Sequence, residues 1–158
     1  MNSSMVLALI FAIGIIAGLR ALTAPAVVCW AAHLGWLNLQ NSHLAWMGSV
    51  AAVAIFSILA LAEIVNDKLP ATGSRTAPPS LVIRSITGAL AGTALAIAAS
   101  QSVLLGIVLG ALGALAGSFL GYEVRHRIVT GLKIPDFPVA LLEDAIAIGC
   151  GLLIVSRF

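Results

Sequence analysis

Four apolar runs constrain this chain more than anything else in it: Leu44–Ala62, Leu81–Ala99, Val103–Gly121 and Phe137–Val155. Each is about 19 residues, and as a helix each would cross roughly 30 Å of hydrocarbon. Of the 158 residues, 61% are hydrophobic and 9% charged, and the mean hydropathy is +1.12. A soluble domain carries about 25% charged residues, so a soluble fold this apolar would lack the polar surface to cover itself. The expected class is one all-α integral membrane domain of five or six transmembrane segments, with the lipid bilayer as its first partner.

Charge and cysteine content exclude other classes. The net charge is +2 and no Lys/Arg run exists, which leaves no footprint for nucleic acid. Cys29 and Cys150 both lie in apolar runs and read as buried, unreactive thiols; a disulfide framework or metal knuckle needs more cysteines at closer spacing.

The first region, Met5 to Leu37, is apolar apart from Arg20, Thr23 and His33. As one helix it would run about 50 Å, too long for a single span. It lacks the basic start of a signal peptide and reads as a retained membrane segment. Gly18, Arg20 and Pro25 sit at its middle, and Pro25 removes a helix hydrogen bond. A break near Arg20 is therefore expected, giving either two short helices or one kinked helix.

The links assign sides. Links 38–43 and 100–102 hold no Lys or Arg, whereas links 63–80 and 122–136 hold Lys68, Arg75, Arg125, Arg127 and Lys133. The positive-inside rule places the basic links in the cytoplasm. Trp36 and Trp46 flank an uncharged link, as an outer aromatic belt would. The last span then runs outward and leaves the C-terminus outside.

Order repeats along the chain. "LRALT" (19–23) and "IRSIT" (83–87) each precede a hairpin that ends in "AEIV" (62–65) or "YEVR" (122–125). "KLP" (68–70) or "KIP" (133–135) follows. The shared order predicts a duplication with repeat-like halves of about 19–70 and 83–135, plus a first segment 5–18 and a last helix 137–155. It also pairs Arg20 with Arg84. Repeats of this kind are common in transporters, with sites at the repeat interface.

Glycines form a second pattern. Gly106, Gly110, Gly113, Gly117 and Gly121 are spaced 4, 3, 4 and 4 apart and share one helix face, and Gly88 and Gly92 form another small-xxx-small pair. Lipid gives helices little hydrophobic reason to associate, so close backbone approach over small residues supplies the packing. The facing helix belongs either to the same chain or to a second copy, a homodimer being the favoured oligomer.

The acids are the chemical signal. Glu63 and Asp67 are four apart and share a face if the helix continues toward Pro70. Glu143 and Asp144 lie about two turns inside the last span, with Asp136 as its candidate N-cap. A lipid-facing carboxylate is costly, so pairing with Arg20, Arg84 or Lys68 is expected, all at the cytoplasmic side. Two readings stay open: structural ion pairs knitting the bundle, or a cavity lined by Glu63, Asp67, Glu143 and Asp144 that binds a cation or relays protons. A divalent-metal site is a narrower version with nothing to fix its geometry. His33, His43 and His126 read as interfacial residues rather than ligands. No nucleophile elbow, HExxH, GxxxxGK[ST] or GxGxxG before a helix occurs, and no cofactor or enzymatic activity is expected.

With "GLRALTAPA", "LAEIVNDKLP" and "LLEDAIAI" in view, the sequence resembles the small bacterial membrane proteins grouped as domain-of-unknown-function family 4126. The resemblance covers essentially the whole chain. Arg20, Glu63, Asp67, Lys68 and Pro70 fall on the family's best-marked stretches, and Glu143–Asp144 on its late acidic pair. It implies a polytopic bacterial inner-membrane protein and no established activity. A small transporter or channel-like protein is the leading functional expectation, and a non-transporting membrane scaffold the alternative.

Overall fold

The computed structural model describes residues 2–67, 76–132 and 135–158, the side chains of Leu132 and Asp136 apart. Among these the chain forms six α-helices and no strand: α1 Ser3–Leu19, α2 Thr23–His33, α3 Val50–Asn66, α4 Pro78–Ala98, α5 Val103–Leu132 and α6 Asp136–Val155. Three of them, α4, α5 and α6, are long and apolar enough to cross a membrane, and α1 and α3 are shorter apolar helices. Large apolar side chains such as Ile58, Leu61, Leu104, Phe119, Leu142 and Leu153 face outward, whereas Arg20, Arg84, Ser118 and Asp144 are buried. Apolar outside and charged inside is the arrangement a lipid solvent favours.

The first region is broken where Pro25 requires it. Arg20 leaves α1 with extended backbone (φ −140°, ψ 108°). A continuous helix would drive the Pro25 ring into the Ala21 carbonyl. Starting α2 at Thr23 puts Pro25 in the first turn, where its missing N–H would have had no helical partner. The first helical bond then runs from Ala26 N–H to the Leu22 carbonyl at 3.1 Å. At the other end of α2, Gly35 takes φ +80°. That conformation lets the Trp36 N–H reach the Ala31 carbonyl at 2.8 Å and close the helix end.

Two of the expected spans have other bounds. The run expected from Leu44 begins with a short 3-10 turn, Ala45–Gly48. The helix proper starts at Val50, because Ser49 caps it by accepting from the Ala52 N–H at 3.1 Å. It then continues to Asn66, beyond the expected end at Ala62. The second correction is larger. The run expected to stop at Gly121 stays helical to Leu132, so most of the 122–136 link belongs to α5. Hydropathy ends at Tyr122, but the polar stretch that follows contains no proline before Pro135 and keeps its helix. Helix α6 begins at Asp136 itself, with Pro135 in the preceding cap position.

The tightest packing joins α1, α4 and α5. Gly110 of α5 lies between Gly14 of α1 and Gly88 of α4, and Gly106 lies against Gly92. A Cβ on Gly113 would strike the Phe11 carbonyl oxygen and stand 3.0 Å from Gly14 Cα; one on Gly117 would strike the Ile15 carbonyl oxygen. These obstacles are backbone, which cannot swing aside. Gly106, Gly110, Gly113 and Gly117 thus meet helices of their own chain, and Gly121 is buried at the end of the same face. The α1 glycines, Gly14 and Gly18, complete the seam from the opposite side. Cys29 is buried, but Cys150 is exposed on α6, because the outward face of a membrane helix is itself apolar.

Candidate functional site

The break at residues 20–22 leaves backbone groups of two helix ends without helical partners inside an apolar protein. Side chains from three other helices meet them, two charged and one a hydroxyl. Glu63, near the end of α3, accepts the Ala21 N–H at 2.7 Å through one carboxylate oxygen and the Leu22 N–H at 2.8 Å through the other. A carboxylate there also meets the positive end of the α2 dipole. On the α1 side, Arg84 of α4 donates through Nη1 to the Gly18 carbonyl, and Ser118 Oγ of α5, whose shorter bond runs to the Ala114 carbonyl at 2.8 Å, stands 3.3 Å from the same oxygen. The Arg84 guanidinium also stands 3.7 Å from Glu63, and its Nε donates to Ser80 Oγ at 3.1 Å. The break is thus held from both sides by a linked Arg–Glu pair.

Arg20 itself is fully buried. Its Nε donates to Asp144 Oδ1 of α6 at 2.6 Å, and its Nη1 stands 2.7 Å from Asp67 Oδ2 at the end of α3. Asp67 still has helical backbone, its N–H bonding the Glu63 carbonyl at 2.9 Å, which keeps both acids on one face. Arg125 of α5 donates to the same Asp67 oxygen at 2.8 Å and stands 3.5 Å from Glu143 of α6. Arg20, Arg125, Asp67, Glu143 and Asp144 thus form one ion-pair network, and the Arg84–Glu63 pair stands at the same helix break; together these three arginines and four carboxylates make up the node. Residues as distant in sequence as Arg20 and Asp144 neutralise each other there. Removing one partner from such a buried pair strands a charge, at a cost of about 3–5 kcal/mol.

Six of the seven charged candidates meet in this node: Arg20, Glu63, Asp67, Arg84, Glu143 and Asp144. The seventh, Lys68, lies outside the described residues. The pairing differs in detail from expectation. Arg20 takes Asp144, as expected, but Arg84 takes Glu63 and a carbonyl, and Glu143 is met by Arg125. Arg125 and Ser118 were not among the sequence candidates. Arg125 carried a readable signal, since it continues the glycine face by one more step of four after Gly121. By contrast, Arg127 pairs with Glu123 one turn away on the exposed flank of α5, outside the node.

Two clefts reach the node from different flanks. One of about 470 Å³ is lined by Ala21, Leu22, Glu63, Ser80 and Arg84, among others. A narrower one of about 220 Å³ between α5 and α6 reaches Arg125 and Glu143. Neither is lined by Arg20 or Asp144. Among the described residues, no three acidic, histidine or cysteine side chains are grouped so as to hold a metal ion.

A family model, Domain of unknown function (DUF4126), matches residues 7–156. The chain belongs to that family. The matched span contains every residue of the node and of the glycine seam. No curated protein and no solved structure matches the chain. Membership of DUF4126 fixes kinship without an activity, so function has to be argued from the node itself.

Proposed function

We propose that this protein is a small multi-pass transporter or channel-like protein for an ion or small solute, working at the helix break. The observation that carries this reading is a discontinuous helix in an apolar bundle, its two ends held by side chains rather than by its own turns. Irregular backbone at membrane depth is tolerated only where protein or a cavity surrounds it, and transporters place their sites at such breaks. The two clefts beside the node are consistent with access from its flanks. The distribution of Lys and Arg supports a bacterial inner-membrane location with the node toward the cytoplasm. The absence of catalytic motifs in the sequence supports a non-enzymatic role.

One observation favours the alternative, a non-transporting scaffold: Glu63 spends both carboxylate oxygens on backbone N–H groups. A carboxylate so used is a structural clasp. The two readings separate in proteoliposomes. Transport predicts that Glu143→Gln and Asp67→Asn keep a monodisperse protein in detergent and abolish a flux that wild type supports. A scaffold predicts that the same variants lose the fold and that wild type shows no flux. A small membrane protein of this kind is also expected to form a homodimer. Cross-linking in native membrane tests that.

A further inference from the structure

Resting on the transport reading, the inference here concerns what is carried. The charged groups of the node are already opposed by one another, so the groups left over are informative. Among the described residues, three buried side-chain atoms make no hydrogen bond, Arg20 Nη1, Arg20 Nη2 and Thr23 Oγ1; Nη1 still stands 2.7 Å from Asp67 Oδ2, which leaves Arg20 Nη2 and Thr23 Oγ1. Both can donate, and the guanidinium can only donate. A buried polar atom without a partner is costly, and its presence marks a place where a guest completes the bonding.

Thr23 lines a third cleft, of about 310 Å³, between α2, α3 and α6. Ser57 and Trp30 stand on its wall, joined by a bond from Trp30 Nε1 to Ser57 Oγ at 3.0 Å. The remaining lining is apolar and includes Ala60, Ile64 and Ile148. The cleft sits one helical turn from the node on α3 and α6, and three residues from Arg20 across the non-helical break before α2. Thr23 follows Arg20 by three residues, Ala60 and Ile64 precede Glu63 and Asp67 by three, and Ile148 follows Asp144 by four. A helical turn is about 5.4 Å, so on α3 and α6 the cleft lies beside the node, although Arg20 itself is not in its lining.

We propose that this cleft binds a small uncharged solute that presents a carbonyl or hydroxyl oxygen to Thr23 Oγ1, on its way to Arg20 Nη2. Charge decides the class. An anion drawn to Arg20 would face Asp67 and Asp144, both already against that guanidinium. A bare cation in the cleft would have one Thr hydroxyl and a Ser–Trp pair in place of its hydration shell. An uncharged solute with an acceptor oxygen gives up little water and relieves an unpartnered donor.

The experiment uses full-length protein in proteoliposomes, with urea, acetamide and glycerol as neutral probes and K⁺, Cl⁻ and H⁺ as charged ones. Thr23→Val keeps the shape and removes the hydroxyl, so it folds at least as well as wild type. Ala60→Leu fills the cleft independently. The expected result is neutral-solute flux above protein-free vesicles, reduced about fivefold by Thr23→Val, roughly one net hydrogen bond. Ala60→Leu reduces it likewise, and ion flux stays at background. Neutral flux untouched by both variants overturns the site and leaves transport standing. Flux of ions alone overturns the solute class and leaves transport standing. No flux of any probe removes the transport reading itself and this inference with it.

Discussion

The seam between α1, α4 and α5 and the node joining α2, α3 and α6 to it solve the same problem by opposite means. In lipid, apolar surface gives helices no reason to pair. The seam answers by deleting side chains, so that Gly14, Gly88 and Gly110 bring three backbones into contact. The node answers with side chains that cannot remain in hydrocarbon alone. Arg20 holds the end of α3 and a point about two turns inside α6, and Arg125 ties both to α5. Contact through backbone is rigid and closes space. Contact through charges at one end leaves gaps along the helices, and the clefts at Thr23 and Glu143 lie in that looser part. The helix break belongs to both regions: its α1 side presses on α5 through Gly18, and its α2 side hangs on Glu63.

The difference predicts a ranking of damage. Gly117→Leu should act most severely, because even its Cβ would meet the Ile15 backbone. Loss of monodisperse protein on size exclusion is expected, and a well-behaved Gly117→Leu protein would break the account of the seam. Arg20→Gln comes next. It takes the Arg20 guanidinium from Asp144 and leaves Asp67 with that of Arg125, and it should destabilise by about 3–5 kcal/mol, read from thermal unfolding in detergent. Glu63→Gln retains one acceptor oxygen and loses the other with the charge. A loss of about 1–2 kcal/mol is expected, the range of a helix cap. Smallest is Arg127→Ala on the exposed flank of α5, where an ion pair is worth at most about 1 kcal/mol and a change within about 0.5 kcal/mol is expected. A reversed order for Glu63 and Arg127 would mean that the charges at the break carry no more load than surface charges.

Much of this was legible in the sequence, for a physical reason. Acids inside an apolar run have few affordable fates, so Glu143 and Asp144 had to find bases, and Arg20 stood in the other charged interruption. The break near Arg20 was readable because Pro25 and the excessive length both argued against one helix. Arg125 is masked by hydropathy, which falls at Tyr122 and marks the end of the span rather than of the helix, although its position one step of four past Gly121 keeps it on the glycine face. Polar residues continue a helix readily once it leaves the hydrocarbon. The role of Arg84 on the Gly18 carbonyl was not legible at all. Orphaned backbone groups appear only once the break has a geometry, and a sequence does not display its unsatisfied carbonyls. Nor does the glycine spacing of α5 alone say which helix lies opposite, although Gly14 and Gly18 of α1 form a small-xxx-small pair at the same spacing as Gly88 and Gly92.

The most direct test of the central claim is a double-mutant cycle on Arg20 and Asp144, using Arg20→Gln, Asp144→Asn and both together, by thermal unfolding in one detergent. Opposite charges that neutralise each other across the bundle predict strong coupling. The double variant should be more stable than the sum of the single losses implies, by at least about 1 kcal/mol. Losses that add to within about 0.3 kcal/mol would show two independent sites, and the node would not be what joins the looser helices to the seam.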